Sequence, residues 1–212
     1  WLLDQSILKM GRPAPDEPSI DIAAGGAGMA RADHYMRFER GFNMVTGSRT
    51  LESDVATAYL TDDNAYVKSL EMRGHSRVTG LGEGTGALRS MQAEDINLEF
   101  AEDGKTLLGA TLARSASIEL SGSESAGRRI RANWIEIGLD ADGKTVTGLS
   151  ARDDMELILP GANDGPSRVI TSGSLVAGGT AGTGLTTARF LDHVEYRENR
   201  PTSAGSSSRI VK

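Results

Sequence analysis

The sequence lacks several features that mark common protein classes. It contains no cysteine, which excludes a disulfide framework and a metal site built from thiolates. No apolar run approaches the roughly 20 residues of a transmembrane helix. Aromatic residues are only 5% of the 212 residues, and the net charge of −6 argues against a nucleic-acid partner, which normally requires a basic face. Glycine, in contrast, occurs 26 times, and this composition favours a turn-rich β protein over a helical bundle.

Two sequence phrases alternate along the chain. The first places a small residue between apolar ones at 51–60, 91–100, 130–139 and 170–179, and the small residues are 40, 39 and 40 positions apart. The second alternates apolar and mostly polar residues with a period of two, as over 110–120 and 149–159. A period of two over this length predicts β-strands with one buried face.

Turn signals and irregular positions predict how these strands are arranged. Asp103-Gly104 and Asp142-Gly143 stand between the two phrases and predict tight turns, so the phrases form the antiparallel arms of one hairpin. The apolar register shifts by one within the first phrase, which predicts a bulge or corner. A polar residue or glycine takes the middle inward position of the second phrase, which predicts a second corner. These middle positions are Gly74, Arg114, Asp153 and Asp192.

The predicted fold is therefore all-β, with bent antiparallel hairpins that stack with a period of about 39 residues. Such stacking gives a β solenoid or an elongated β jelly roll with an apolar interior.

One part of the sequence resembles the OstA-type repeat of lipopolysaccharide-transport proteins: RRIRANWIEIGLD followed by GKTVTGLSARDDMELIL. The segment ARFLDHVEYRE at 188–198 is similar to the usual end of such a repeat, and the resemblance covers roughly residues 30–212. It implies a partly open, taco-like β jelly roll in the periplasm whose apolar interior holds lipopolysaccharide acyl chains and passes them toward the outer membrane. It also implies partners: other OstA-like modules joined through edge strands and, indirectly, an ABC transporter complex in the inner membrane.

The resemblance also gives an expected domain organisation. Residues 30–212 are expected to form a single OstA-like repeat domain, and residues 1–29 an irregular N-terminal segment or the end of a preceding repeat. The final residues, SSRIVK, match the start of the first phrase, so we expect the chain to be a fragment of a longer protein. Its first residues, WLLDQSILKM, lack the basic start and the cleavage site of a signal peptide.

The inward apolar positions are candidates for a groove that binds lipopolysaccharide or a related glycolipid. Each buried methylene of an acyl chain contributes roughly 0.8 kcal/mol, so such a groove needs no polar contacts. Many inward residues are small, among them Ala93, Ala110 and Ala132. They leave room for a guest chain if the roll is open, and fill a closed core if it is not. The expected groove residues are Ile96, Leu98, Leu112, Ile118, Ile135, Ile137, Leu149, Met155, Leu157, Leu175, Phe190 and Val194.

Signals for other chemistry are weak. The glycine-rich segments at 80–86 and 178–184 lack the lysine and the following helix of a phosphate-binding loop, so we predict inter-strand loops there. His34, His75 and His193 lie at unrelated points of the repeat without the spacing of metal ligands. No serine has the setting of a hydrolase nucleophile. We therefore expect no enzyme activity, no catalytic residue, no cofactor and no bound metal.

Two alternatives stay open at this stage. Arginines recur near the repeat boundaries, either as solvated ends that protect strand edges or as contacts for lipid phosphates at the mouth of the groove. They are Arg128, Arg129, Arg131, Arg152 and Arg168. The alternative to lipid transport is a closed β solenoid with a structural role, which assembles edge to edge without a ligand.

Overall fold

The protein consists of β-strands and their connections over the residues that the computed structural model describes, namely 3–10, 19–84, 86–122, 127–161, 165–200 and 207–211. All pairings among the strands of these ranges are antiparallel. The strands are β1 (Leu3–Met10), β2 (Ile20–Ala30), β3 (Tyr35–Thr46), β4 (Arg49–Ser53), β5 (Val55–Leu60), β6 (Val67–Thr79), β7 (Leu88–Phe100), β8 (Leu107–Leu120), β9 (Arg128–Leu139), β10 (Val146–Leu159), β11 (Ser167–Thr180), β12 (Gly184–Leu191), β13 (Glu195–Arg200) and β14 (Ser207–Val211). The predicted all-β fold of stacked antiparallel hairpins is confirmed.

A single continuous sheet contains all of these strands. Its main path runs β1-β2-β3-β4-β6-β7-β8-β9-β10-β11-β13-β14, with β5 and β12 beside it. Each of these two is half of a bent strand: β5 continues β4 after Asp54, and β12 precedes β13 across Asp192–Val194. Because neighbouring strands lie about 4.8 Å apart, the 12 strands of the main path extend over a distance on the order of 50 Å.

A line of unusual backbone conformations runs across the middle of the sheet. Two consecutive residues with positive φ interrupt every second strand, and they face a single residue of the neighbouring strand, as Arg114 and Ser115 face Asn133. The unequal count makes a bulge that bends the strand. The five pairs are Arg40–Gly41, Gly74–His75, Arg114–Ser115, Asp153–Asp154 and Asp192–His193. We call this line the fold line. The predicted corners are confirmed, but Arg114, Asp153 and Asp192 are exposed and not inward as expected, because the positive φ turns them out of the alternation.

The fold line divides the sheet into two leaves that face each other. The loop leaf contains the strand halves within 20–24, 42–53, 76–93, 116–132, 155–172 and 195–211, and the turn leaf those within 26–39, 55–73, 95–113, 134–152 and 174–191. Inward side chains of both leaves form one hydrophobic cluster. Leu112 of the turn leaf and Ile118 of the loop leaf, for example, are both at most 1% exposed. The core therefore lies between the two leaves of one folded sheet.

The turns within the hairpins are held by aspartate side chains. Asp103 Oδ1 accepts hydrogen bonds from the backbone N–H groups of Lys105 and Thr106, both at 2.8 Å, and Oδ2 accepts one from the Thr106 hydroxyl at 2.6 Å. Asp142 accepts the same three bonds in the next hairpin. Only the glycine of each Asp-Gly pair has a positive φ, 65° at Gly104. The predicted turns are present, with the aspartate acting as a hydrogen-bond acceptor.

This geometry predicts a loss of stability in acid. The Thr106 hydroxyl and the two backbone N–H groups hold the pKa of Asp103 at about 2, below its ordinary value of 3.8. A lowered pKa in the folded state stabilises the protein above pH 3.8, and this contribution is lost as the pH falls toward 2. Asp103→Asn should therefore make the urea midpoint less dependent on pH in this window. Glu102→Gln, which touches none of these bonds, is the control and should retain the wild-type slope; equal slopes for all three proteins would contradict the prediction.

Residues 1–29 were expected to be either an irregular segment or the end of a preceding repeat, and the structure bears on the first of these. Residues 3–10 and 20–30 are strands that extend the sheet, so this segment is not irregular where the structure describes it. β2 crosses the fold line at Gly25, where a Cβ atom would lie 2.6 Å from the Cβ of Arg40. Small residues are required at this crossing, and the alanine and glycine in IDIAAGGAGMA hide the alternation on which strand prediction depends.

Candidate functional site

The interior between the two leaves is the candidate site, and most of the expected groove residues meet there. Nine of the twelve belong to the hydrophobic cluster and are at most 4% exposed. They are Ile96, Leu98, Leu112, Ile118, Ile135, Ile137, Leu149, Met155 and Leu175. Along this part of the sheet the protein's own side chains fill the space between the leaves.

The other three expected residues lie near the C-terminal end of the sheet and are less covered. Leu157 and Phe190 are half-buried at the border of the cluster. Val194 is 44% exposed, although it occupies the same repeat position as Met155, which is 1% exposed. β12 pairs only with β11, so no strand of the described chain covers its other side. Over the described residues the interior is therefore filled in the middle and less covered at this end, and Val194 is not part of the packed core.

Several interior residues were not among the expected groove residues. Met72 stands in the alternating frame of the second phrase, so the sequence contained the signal for it. Leu88 and Leu107 begin strands directly after a loop or a turn, where no alternation precedes them. The large residues among them that are at most 1% exposed include Leu51, Met72, Leu88, Met91 and Leu107.

The outer ends of the leaves form two rims of different construction. The loops between hairpins lie along the end of the loop leaf, which we call the loop rim, and the turns within hairpins lie along the turn rim of the other leaf. Consecutive turns pack on one another. The backbone N–H of Gly182 donates to Asp140 Oδ2 at 2.9 Å, and Nδ1 of His34 is hydrogen-bonded to Asn64 Oδ1 at 3.2 Å.

One glycine-rich connection joins the two rims. This strap consists of residues 80–84 and 86–88, the first of the two segments predicted as inter-strand loops. Its Gly86 N–H donates to the Ser121 carbonyl of the loop rim at 3.0 Å, and the Leu88 N–H donates to the Lys144 carbonyl of the turn rim at 3.0 Å. Ala87 and Thr145 form a β-bridge. Leu81 projects into the hydrophobic cluster and is 3% exposed. The strap is a loop as predicted, but it is anchored at both rims.

A polar depression of about 660 Å³ lies on the outer face of the loop leaf. Arg77, Arg129 and Arg131 border it, together with the carboxylates of Glu119 and Asp154. Arg131 lies 3.5 Å from Glu156. Because carboxylates line it beside the arginines, the depression has no clear preference for an anion, and the arginines around it fit solvated strand positions.

Two further polar features are structural. Arg152 stacks on the ring of Trp134, with its guanidinium 3.8 Å from the ring centre. His75 and His193 are both the second residue of a fold-line pair, so the expectation that the histidines lie at unrelated points was wrong for these two. The hydrogen bond from His75 to Asp54, 2.9 Å long, raises the pKa of this imidazole. No group of three or more possible metal ligands occurs within the described ranges.

No family model matches the chain, and no curated protein matches it significantly. The resemblance to the OstA-type repeat therefore stays a hypothesis that depends on the residues quoted for it. In the part of the chain that the structure describes, no helix has the length and apolarity needed to cross a bilayer.

Proposed function

We propose that the protein is a periplasmic lipid-transport module, which binds the acyl chains of lipopolysaccharide or a related glycolipid between its two leaves. The observation that carries the proposal is the uncovered apolar surface at the C-terminal end of the interior, where Phe190 is half-buried and Val194 is 44% exposed. This surface continues into the apolar core between the leaves. An acyl chain that entered there would bury its methylenes at roughly 0.8 kcal/mol each.

Handover to a neighbour is part of the same proposal. The outer edge of β12 is unpaired in the described chain, and unpaired edges are where a further strand adds to a sheet. An OstA-like module added at this edge would continue the apolar interior. The protein would hold lipid passively, and an ABC transporter complex in the inner membrane would supply the energy.

The alternative proposal is a closed structural protein that assembles edge to edge without a ligand. The filled centre favours it, because Ile96, Leu112 and Ile135 are 0% exposed and leave no room for a guest chain unless the leaves move apart. Both proposals use the open edge of β12. They differ in whether lipid enters the interior.

Site-specific photo-crosslinking distinguishes the two. A benzophenone amino acid at Val194 or Phe190 should form an adduct with lipopolysaccharide on irradiation. Val176 is the matched control, because it is 51% exposed but lies between the inward residues Leu175 and Ala177 and so faces outward. We expect the yield at Val194 to exceed that at Val176 by about tenfold or more, since a bound acyl chain excludes water from the inward position. Equal yields at the two valines, or no adduct in a folded protein, would favour the structural alternative.

A further inference from the structure

The strap, residues 80–84 and 86–88, makes the backbone hydrogen bonds that join the rims in the described chain. Leu88 donates to Lys144, and the bridge between Ala87 and Thr145 lies beside this bond. Among the described residues, the other hydrogen bonds at the rims connect neighbours on the same side, as Ser48 on the loop rim donates its hydroxyl to the Gly80 carbonyl. Within the described ranges the leaves are thus clasped at one place, near the middle of the sheet.

The composition of the strap fits a segment that changes conformation. Every second residue from 80 to 86 is a glycine, and Gly80, Gly84 and Gly86 have positive φ. Glycine moves among such conformations without a steric penalty from a Cβ atom. The hydrogen bonds of the strap with the turn rim are made by backbone groups, and water can replace the lost partner of each group once they part. Its one large buried side chain before β7 is Leu81, which occupies the interior itself.

Because the centre of the interior is closed, the contacts of the strap with the turn rim control whether an acyl chain can enter it. The side chains between the leaves are packed, so an acyl chain finds space there only if the leaves separate. Separation requires the bond between Leu88 and Lys144 to open and Leu81 to leave the cluster. The uncovered C-terminal end lets a chain begin to enter, and the strap limits how far it goes.

We propose that the strap is a gate: it must release the turn rim before an acyl chain occupies the central interior. This inference rests on the proposed lipid-binding function and specifies its regulation. Leu81 fills the interior when the gate is closed, and the acyl chain replaces it when the gate is open.

A disulfide that ties the strap to the turn rim tests the gate. A Cβ atom on Gly82 would lie 3.2 Å from the Cβ of Lys144 and 3.3 Å from that of Ala87. Both spacings are a few tenths of an ångström below the roughly 3.5 to 4.5 Å of a disulfide, so a small outward shift of the strap lets either bond form. Because the chain has no cysteine, a Gly82→Cys/Lys144→Cys variant carries only the two engineered thiols. Gly82→Cys/Ala87→Cys is the matched control, which joins two strap residues and leaves the rims unlinked.

The measurement is the binding of cis-parinaric acid, a fluorescent fatty acid, with lipopolysaccharide as competitor. We expect oxidised Gly82→Cys/Lys144→Cys to bind at least about tenfold less probe than its reduced form, and the oxidised control to bind like wild type. The reduced form of the same variant shows whether the fold is intact. Unlocking by Leu81→Ala should speed probe uptake several-fold, since the side chain that competes with the guest is shortened.

The outcomes separate the gate from the function. Binding that is the same in the oxidised and reduced lock, with the disulfide verified by mass, would overturn the gate and leave lipid binding standing. A wild-type chain that binds neither probe nor lipopolysaccharide would overturn the proposed function and the gate together. Slower uptake by Leu81→Ala would also contradict the gate.

Discussion

Met155→Asp is expected to destabilise the protein by at least about 4 kcal/mol, enough to unfold much of it at room temperature. Met155 is 1% exposed and follows directly on the exposed fold-line pair Asp153–Asp154. An aspartate there places a carboxylate in the hydrophobic cluster without a described cation to pair with, and two acidic neighbours add repulsion. Urea unfolding followed by circular dichroism measures the change. The loss should shrink in acid, because protonation removes the buried charge.

Val194→Asp is the matched control for this change. Val194 stands at the repeat position of Met155 but is 44% exposed, so the carboxylate of the variant stays in water. The free energy of unfolding should therefore change by less than about 1 kcal/mol. If both variants unfold alike, the interior does not open at its C-terminal end. If both are equally stable, Met155 is not part of a packed core. The pair therefore tests the difference between the closed and the open part of the interior.

The fold was predictable because its rules are local and repeated. A strand with one buried face needs apolar and polar residues in alternation. A slip of one residue in the pairing register would expose all of its inward apolar side chains, so this alternation must be present in the sequence. The Asp-Gly turns and the shift of the apolar register between Ala93 and Ile96 are also local features that repeat from hairpin to hairpin. The backbone at the fold line was not predictable, since arginine, serine, aspartate, histidine and glycine all occur there with positive φ. A polar residue or glycine marked the corner, but no single residue type marks the positive φ there or the outward direction of its side chain.

The candidate site was predictable only in part, for a different reason. Alternation shows that Val194 and Met155 point the same way, but whether a side chain is covered depends on a strand elsewhere in the chain. The strap shows the same limit more strongly. Leu81 lies in a glycine-rich loop that lacks any strand pattern, and the partners that fix the strap, such as Thr145, belong to a later hairpin. Contacts of this kind have no local signal, so sequence reasoning predicted a loop and missed the connection between the rims.

Gly80→Ala is the second substitution with a large expected effect, a loss of about 2 to 4 kcal/mol. Gly80 has a φ of +70°, and a Cβ atom there would lie 1.8 Å from the carbonyl oxygen of Ser48. The obstacle is backbone, so the turn between β3 and β4 must shift or the start of the strap must change its conformation. Either response disturbs the contact between two neighbouring connections of the loop rim. Urea unfolding of the purified variant measures the loss.

Gly148→Ala makes the same chemical change where the structure has room for it. A Cβ atom at Gly148, in the middle of the turn leaf, would meet no atom within 4 Å, and its φ is not positive. Alanine restricts the unfolded chain more than glycine does, so this variant should gain about 0.4 to 1 kcal/mol. The two substitutions should change the free energy of unfolding in opposite directions, because the backbone conformation and the surroundings of the two glycines differ. A loss at Gly148 as large as at Gly80 would mean that the protein penalises any side chain added to its glycines, and the clash with Ser48 would then not be the cause. Because Gly80 is the first residue of the strap, its stability effect also bears on the gate: a strap start fixed by Ser48 leaves the residues from Leu81 onward as the part that moves.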